Sequence, residues 1–360
     1  MEAFRKAVAA GFLPPVSVPS RRRRTASFWD KNREVVKTPT FWMAHPLCRE
    51  AINRRVTGSP REWPLDWFKR VHGGRPLSRG VSFGCGLGSF ERWAVKLGIV
   101  GEMDAFDISP ASLEDARSLA REEGLSGIHY ELGSFDEPRL PDGAYDIAFF
   151  HASLHHVSNL ERLFDALSRA LVPGGAIYVD DYIGRSRHQW RGRHLREPQE
   201  FLDRVPREAK SLLFLDLPVG KDDPSEAVRS GEIEAFLRGA FDIVEWRPYG
   251  GQIAAWVLSS VDVSWANSEA GRGLVTEILA REDEDLARDA SSTDHIVAYG
   301  TLKPAARRAV SFRQRSSRLQ DLRREGARLA FHVYWLVFKV LRRVRTEIAR
   351  RSSVSAGEPE

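Results

Sequence analysis

The stretch that decides the fold is Arg79-Gly-Val-Ser-Phe-Gly-Cys-Gly-Leu-Gly-Ser-Phe90, in which a short apolar strand runs into a glycine-rich turn and then a helix. Glycines let the backbone approach a ligand closely, and the first N–H groups of the helix point at that ligand. A second strand ends at Asp107, 19 residues beyond Gly88, where a carboxylate can bind both hydroxyls of a ribose. The pattern predicts a site for a nucleoside cofactor.

Strand and helix patterns alternate from residue 79 onward. Ser109 is predicted to cap a helix that begins at Pro110, and Pro173-Gly-Gly175 to separate a helix from the fifth strand. The predicted strands are Gly80–Phe83, Met103–Asp107, Ile128–Leu132, Tyr145–Phe150, Ala176–Asp180, Phe241–Trp246 and His295–Gly300. Crossovers of this length indicate an α/β fold: a doubly wound, mostly parallel, seven-stranded Rossmann-like sheet with helical cap insertions and a C-terminal amphipathic helix. The ligand is expected beyond the carboxyl ends of strands one and four.

Composition divides the chain into four predicted segments. They are a flexible leader (1–26), an aromatic-rich helical cap (27–78), the main domain (79–304, with insertions at about 184–240 and 250–292) and a basic helical tail (305–360). The rings of the cap are expected either to pack on the sheet or to contribute to the ligand site. Insertions as long as these usually have a function when they lie near the edge of the sheet at which the ligand binds.

The net charge of +5 belongs to the tail. Residues 302–360 hold 15 Lys and Arg against 5 Asp and Glu, whereas residues 1–301 hold 39 against 44. A nucleic-acid partner is therefore disfavoured for the main domain, because phosphate binding needs a basic surface at the ligand site. Cys48 and Cys85 form neither a disulfide framework nor a zinc set, and no signal peptide is recognised, so a cytoplasmic setting is predicted.

The tail pattern predicts a basic amphipathic helix with peripheral membrane contact through residues 324–350. Tyr334 and Trp335 are aromatic residues of the kind that lie in a membrane interface, and they adjoin an apolar face flanked by basic residues. This pattern favours binding to the anionic inner face of the cell membrane. Packing on a protein partner or subunit and binding of nucleic acid are the alternatives. The predicted basic stripe comprises Arg324, Arg328, His332, Lys339, Arg343 and Arg350.

The spacing Gly84-x-Gly86-x-Gly88 differs from the Gly-x-Gly-x-x-Gly of dinucleotide-binding dehydrogenases. With the phrases Tyr145–Val157 and Leu171–Val179, residues 79–181 resemble the class I S-adenosylmethionine-dependent methyltransferase family. The resemblance implies S-adenosyl-L-methionine as cofactor, with a binding site made of Ser82, Gly84, Cys85, Gly86, Gly88, Asp107, Ile108, Ser134, Phe135 and His151.

Two positions depart from the family pattern. Ser82 stands where that family often has an acid, and Ser134 stands where an aspartate is usual, with Asp136 nearby. Ser82 cannot offer a negative charge to the amino group of the cofactor.

Methyl transfer from a sulfonium needs an aligned acceptor, and a hydroxyl acceptor also benefits from a base. The candidate catalytic residues are Asp181, His151 and His155, with Asp180, His156 and His188 as further bases. The alternative for His155-His156 is that one histidine caps a helix and the other packs, and no metal is predicted. Tyr182, Arg187, His188 and Trp190 are candidates for an acceptor wall, with a solvated basic loop as the alternative.

These residues predict a methyltransferase that methylates a hydroxyl of a small or lipid-linked acceptor, such as a glycan or a secondary metabolite. The alternative is a noncatalytic S-adenosylmethionine-binding scaffold or sensor that uses the tail for a membrane or protein partner. The acceptor, the atom methylated, the base and the oligomeric state stay open at this point.

Overall fold

The computed structural model describes residues 24–31, 42–74, 76–217, 223, 225–304, 306 and 318–355. A seven-stranded sheet in the order β3-β2-β1-β4-β5-β7-β6 forms its centre. Strands β3, β2, β1, β4 and β5 pair in parallel, whereas β7 runs antiparallel to both β5 and β6. The strands are β1 (Leu77–Phe83), β2 (Val100–Asp107), β3 (Ile128–Leu132), β4 (Tyr145–His151), β5 (Leu171–Tyr182), β6 (Phe241–Gly250) and β7 (His295–Leu302). The predicted α/β sheet is confirmed.

Helices cover both faces of the sheet. They are Pro46–Thr57, Pro64–Val71, Ser89–Lys96, Pro110–Glu122, Leu160–Ala170, Arg196–Asp203, Ile233–Ala240, Ala254–Leu258, Val263–Ala266, Glu269–Arg288 and the tail helix Arg318–Ser355, and residues 24–31 are also helical. Ser109 Oγ accepts a hydrogen bond from Ser112 N, which confirms the predicted cap. The carboxyl ends of β1, β2, β4 and β5 meet at one edge of the sheet, here called the ligand edge.

The sheet is buried on both faces, which is why its central strands read as apolar runs. Phe149 of β4 and Tyr178 of β5 pack into one core, and Phe150 and Val179 pack into the other. Successive side chains of a strand point to opposite faces. The same alternation separates Asp180 from Asp181 at the ligand edge.

The cap layer joins two segments that lie far apart in the sequence. Arg55 of helix Pro46–Thr57 donates to Glu282 Oε2 at 3.0 Å and to Asp283 Oδ1 at 2.7 Å, both on helix Glu269–Arg288. Phe68 is fully buried and packs against Tyr178 with a ring-centre distance of 4.9 Å. This cap ring therefore packs on the sheet.

The predicted turn before strand five is wrong. Helix Leu160–Ala170 ends directly before β5, and Pro173-Gly-Gly175 lies inside the strand, with Gly174 at a φ of 72°. The register of β5 on β4 shifts between Tyr145 and Ile147, so the Pro-Gly-Gly stretch forms an irregularity within the pairing. The predicted leader 1–26 lies outside the described residues as far as residue 23.

Within the described part of the chain, every helix is too short or too polar to span a lipid bilayer.

Candidate functional site

The glycine turn connects β1 to helix Ser89–Lys96 at the ligand edge. Gly84, Gly86 and Gly88 have φ values of 71°, 52° and 69°, a region that side-chain-bearing residues rarely adopt. A Cβ at Gly84 would lie 2.7 Å from Ser153 Cβ, and one at Gly88 would collide with the Tyr130 ring. At Gly86, none of the described residues lies within 4 Å of such a Cβ. The turn is thus packed at its two ends and open at its centre.

Asp107 ends β2 and binds the glycine turn directly. Its Oδ2 accepts from Gly86 N at 2.8 Å, and its Oδ1 accepts from Ser109 N at 2.8 Å. Burial raises the pKa of Asp107, and the hydrogen bonds from Ser109, Gly86 and Ile108 oppose that shift. Each carboxylate oxygen has a second lone pair with which to accept from a hydroxyl.

Glu91 places an acid beside Ser82, where the sequence of β1 lacks one. Ser82 Oγ donates to Glu91 Oε1 at 2.6 Å, and both residues are buried. Glu91 Oε2 has no hydrogen-bond partner among the described residues, and burial raises the pKa of Glu91 to about 7. Sequence reasoning missed Glu91 because an acid in the first turn of a helix reads as a favourable dipole charge.

The residues expected at the adenine end occupy the turn that follows β3. Phe135 Cε1 would lie 3.4 Å from a Cβ at Gly84, so its ring borders the glycine turn. Asp136 instead accepts from Ser158 N and Asn159 N, both at 2.8 Å, ahead of helix Leu160–Ala170. The Asp136 carboxylate therefore anchors that helix, and Ser134 accepts from Asp136 N at 3.3 Å.

The helical segment 24–31 crosses the ligand edge. Asp30 Oδ1 accepts from Ser109 Oγ at 2.6 Å, just beyond β2. The Trp29 ring meets the His156 ring edge-on at 5.6 Å, just beyond β4. This segment thus connects the two sides of the glycine turn.

On the cap side of the ligand edge, three polar residues converge beside the glycine turn. Tyr249 OH donates to Asp180 Oδ1 at 2.8 Å, and His151 Nε2 lies 3.9 Å from Asp180 Oδ2. The His151 ring stacks on Phe90 at 5.0 Å, and its side chain is 49% exposed. Burial raises the pKa of Asp180, while the charge of His151 and the Tyr249 hydrogen bond oppose that shift. We call these three residues, Asp180, His151 and Tyr249, the acceptor-side group.

Asp181 faces the other side of the sheet and is fully enclosed. Its Oδ2 accepts from Ser153 N at 2.7 Å and Leu154 N at 2.6 Å, and its Oδ1 accepts from His155 Nδ1 at 2.6 Å and Tyr182 N at 2.7 Å. Burial opposes ionisation of Asp181, but His155 and the two backbone N–H groups outweigh it and lower its pKa. Asp181 and His155 thus hold the turn after β4.

The residues predicted to form the acceptor wall lie at the end of β5 and on the loop that follows it, and one of them is buried while the others are partly buried. Trp190 is buried against Trp256 at a ring-centre distance of 4.6 Å, and its Nε1 donates to Arg185 O at 3.1 Å. Tyr182 OH also donates to Arg185 O, at 2.9 Å. Arg187 and His188 occupy a 3-10 turn that contacts the tail helix.

One face of the tail helix packs on this loop. Tyr334 OH accepts from Gly192 N at 2.8 Å, and Arg191 lies over the Tyr334 ring at 5.3 Å. Phe331 is buried, and Arg342 pairs with Asp216. A second set of tail residues, here called the apolar stripe, is exposed: Val333, Leu336, Val337, Val340, Leu341, Val344 and Ile348.

Comparison with known proteins agrees with the methyltransferase resemblance that the sequence indicates for residues 79–181, here called the central domain. A family model described as "Methyltransferase domain" matches residues 81–179. A probable chloroplastic tocopherol O-methyltransferase of Oryza sativa subsp. japonica is 30% identical over 29% of this chain and 29% of its own length. A malonyl-[acyl-carrier protein] O-methyltransferase of Ilyobacter polytropus is 27% identical over 41% of this chain and 52% of its own length.

A ubiquinone/menaquinone biosynthesis C-methyltransferase of Vibrio campbellii is 27% identical over 42% of this chain and 60% of its own length. The chain thus spans less than two thirds of the length of these relatives. Among solved structures, a phosphoethanolamine N-methyltransferase of Haemonchus contortus with S-adenosyl-L-methionine has a TM-score of 0.45 at 18% identity, covering 77% of this chain and 60% of that one. S-Adenosyl-L-methionine is the methyl donor of the family that the central domain matches. Residues 81–179 therefore form a methyltransferase domain of the class I S-adenosyl-L-methionine-dependent family.

Proposed function

We propose that this protein is an S-adenosyl-L-methionine-dependent methyltransferase that methylates a hydroxyl of a small or lipid-linked acceptor. One observation carries the proposal: the acceptor-side group lies directly beside the glycine turn. The contact is made by the His151 ring on Phe90, which is two residues beyond Gly88. A cofactor site and a carboxylate suited to proton transfer therefore adjoin at the ligand edge.

The residues of the turn fit the cofactor in three respects. The open backbone at Gly86 offers room for it, and Asp107 would accept from its ribose hydroxyls. Glu91 Oε2, buried and without a hydrogen-bond partner among the described residues, would accept from its cationic amino group. Ile108 and Phe135 would flank its adenine. When bound, the cofactor supplies an electrophilic methyl group.

In the proposed reaction, the acceptor-side group binds the hydroxyl and takes its proton. Tyr249 holds Asp180 Oδ1 by its own O–H, which leaves Asp180 Oδ2 towards His151. We assign the base to Asp180 Oδ2, because Asp181 has both oxygens occupied by hydrogen bonds on the other face of the sheet. Asp181 and His155 then act as positioning residues that fix the turn after β4.

The tail supports a lipid-linked acceptor. It packs on the loop that leaves β5, so the same loop connects the acceptor side of the sheet to the apolar stripe. Basic residues flank the stripe, among them Arg343 and Arg345, as in helices that lie in an anionic membrane interface. We propose that the stripe contacts such a surface from the cytoplasmic side. Methyl transfer to oxygen also appears in the names of two relatives of the central domain.

Comparative profiling of metabolites and lipids tests the proposal. Cells that contain the intact chain are expected to accumulate a compound one methyl group heavier than its precursor, and cells with Asp180→Asn or Asp107→Ala are not. The purified chain should then methylate that precursor when given S-adenosyl-L-methionine. Binding of the cofactor without turnover of any fraction would contradict an enzymatic role and favour a sensor or scaffold.

A further inference from the structure

A cluster of metal-ligating side chains lies outside the cofactor and acceptor sites. His155 and His156 follow β4, and the fold brings Asp223 and Glu226 against them from a distant part of the chain. Glu226 Oε2 lies 3.8 Å from His155 Nε2 and 3.9 Å from His156 Nδ1. Asp223 Oδ2 lies 3.5 Å from His156 Nδ1. The ligand atoms of His155, His156 and Glu226 all lie within 4.8 Å of one another, and Asp223 Oδ2 adjoins this group on the side of His156.

The cluster contains an unsatisfied buried oxygen. Asp223 is 6% exposed, and its Oδ1 accepts from Ser225 N at 2.7 Å and Ser225 Oγ at 2.6 Å. Its Oδ2 has no hydrogen-bond partner among the described residues and faces His156. Leaving a buried carboxylate oxygen unpaired is costly, and a cation in the centre of the cluster would remove that cost.

The orientation of His155 suits metal binding. Its Nδ1 is hydrogen-bonded to Asp181 Oδ1 at 2.6 Å, which leaves Nε2 towards Glu226. Metal-ligating histidines usually donate their other ring N–H to a carboxylate in this way, which fixes the tautomer and strengthens the ligand. Asp181 would thus support the metal site and hold the turn after β4.

The net charge of the group also calls for a cation. The carboxyl groups of Asp181, Asp223 and Glu226 outnumber the two imidazoles that they face. No Lys or Arg within the described ranges forms an ion pair with any of the three. Buried charges normally occur paired or on a metal.

We propose that His155 Nε2, His156 Nδ1, Asp223 Oδ2 and Glu226 Oε2 bind one divalent transition-metal ion, with zinc as the best fit. A tetrahedral zinc site with bonds of about 2.0 to 2.2 Å has its ligand atoms roughly 3.4 Å apart, close to the three separations of 3.5 to 3.9 Å seen here. Asp223 Oδ2 would move from His156 towards His155 and Glu226 to complete the set, and the ion would replace the 3.1 Å contact of His156 Nδ1 with Ser225 Oγ. With four protein ligands the site is closed, and its role is structural. The ion fastens Asp223 and Glu226 to the turn after β4, beside the ligand edge. The half-exposed Glu226 provides the way in for the ion.

Metal binding by the full chain tests the proposal. After treatment with a chelator, the chain is titrated with Zn²⁺ in a calorimeter and, separately, with Co²⁺, whose visible absorption reports tetrahedral ligation. We expect one ion per chain and the absorption bands of a tetrahedral site. The isosteric variants Glu226→Gln and Asp223→Asn should weaken zinc binding by more than the about 10- to 100-fold that loss of a supporting carboxylate costs.

Glu234→Gln is the matched control, because Glu234 is a surface carboxylate paired with Arg238 at 2.7 Å on a neighbouring helix. It should bind zinc like the intact chain. Failure of the intact chain to bind an ion would overturn the proposal, as would equal binding by the Glu226→Gln and Asp223→Asn variants. Circular dichroism confirms that each variant is folded, and if either is not, the Co²⁺ spectrum of the intact chain decides.

Discussion

The exposed apolar stripe of the tail allows a quantitative prediction about membrane binding. Its seven side chains are 51% to 60% exposed, although they belong to a helix whose other face is packed on the domain. Full burial of such a side chain is worth about 1.5 to 3 kcal/mol, so transfer of the exposed half is worth about 1 kcal/mol each. Replacing Val337 and Leu341 together by glutamine should therefore cost about 2 kcal/mol of membrane binding, or about 30-fold in affinity.

Flotation with vesicles that contain anionic phospholipid measures this difference. Two other exposed residues, Val244 of β6 and Val263 of helix Val263–Ala266, are 57% and 51% exposed and belong to elements other than the tail helix. Their double glutamine variant is the control and should bind vesicles like the intact chain. Vesicles of neutral lipid should bind the intact chain more weakly, because basic residues flank the stripe. Unchanged binding by the Val337→Gln, Leu341→Gln variant, or an equal loss in the control pair, would refute a membrane role for the stripe.

Three further outcomes follow from the buried charges. Asp180→Asn should abolish methyl transfer while leaving the affinity for S-adenosylhomocysteine within about twofold of that of the intact chain. In the intact chain, the rate of methyl transfer should rise with pH around a midpoint above the ordinary aspartate pKa, because burial raises the pKa of Asp180. Burial raises the pKa of Glu91 to about 7, so below neutral pH Glu91 is protonated and cannot pair with the amino group of the cofactor. Calorimetry should therefore show the affinity for S-adenosylhomocysteine falling as the pH drops through 7. The Glu91→Gln variant should bind more weakly, with an affinity that does not change over this pH range. Arg229 donates two hydrogen bonds, of 2.6 and 2.8 Å, to the carboxylate of buried Glu161. Arg229→Ala should therefore lower the free energy of unfolding, measured by urea titration, by about 3 to 5 kcal/mol, because it leaves a buried charge unpaired. A decrease of less than about 1 kcal/mol would contradict a stabilising role for this ion pair.

The shape of the glycine turn and the position of Asp107 were predictable because they are local in sequence. The glycine turn and Asp107 are set by strand ends and by residues that adopt positive φ, and these features are visible in a short stretch of chain. Ser109 as a cap was predictable for the same reason. The Pro173-Gly-Gly175 stretch was misread because tertiary pairing with β4 extends the strand through it.

The acceptor-side group was harder to predict from the sequence, because residues that are far apart in the chain form it. Tyr249 reaches Asp180 from β6, which enters the sheet only after the long excursion. Asp180 and Asp181 are adjacent in sequence and face opposite sides of the sheet, so a strand pattern alone does not choose between them. Asp223 and Glu226 could not be paired with His155-His156 from spacing.

The packing of the tail helix could also be predicted only in part from the sequence. Its sequence predicts an amphipathic helix, but its apolar residues are numerous enough for two faces. The contact of Tyr334 with Gly192 decides which of these faces packs on the domain and which stays exposed.

Calorimetry with S-adenosylhomocysteine tests the cofactor site most directly. The intact chain should bind one molecule, and Asp107→Ala should weaken binding by about 100-fold or more, since a hydrogen bond to a charged group is worth about 1.5 to 3 kcal/mol and Asp107 would make two to the ribose. Asp146→Ala is the matched control: Asp146 Oδ2 accepts from Ser78 N at 2.8 Å and Arg79 N at 2.9 Å, at the opposite end of β1, so its loss disturbs the strand similarly without touching the site. The predicted result is similar affinity for the intact chain and Asp146→Ala, and an affinity lower by about 100-fold or more for Asp107→Ala. Equal binding by all three, or none by the intact chain, would contradict the cofactor site.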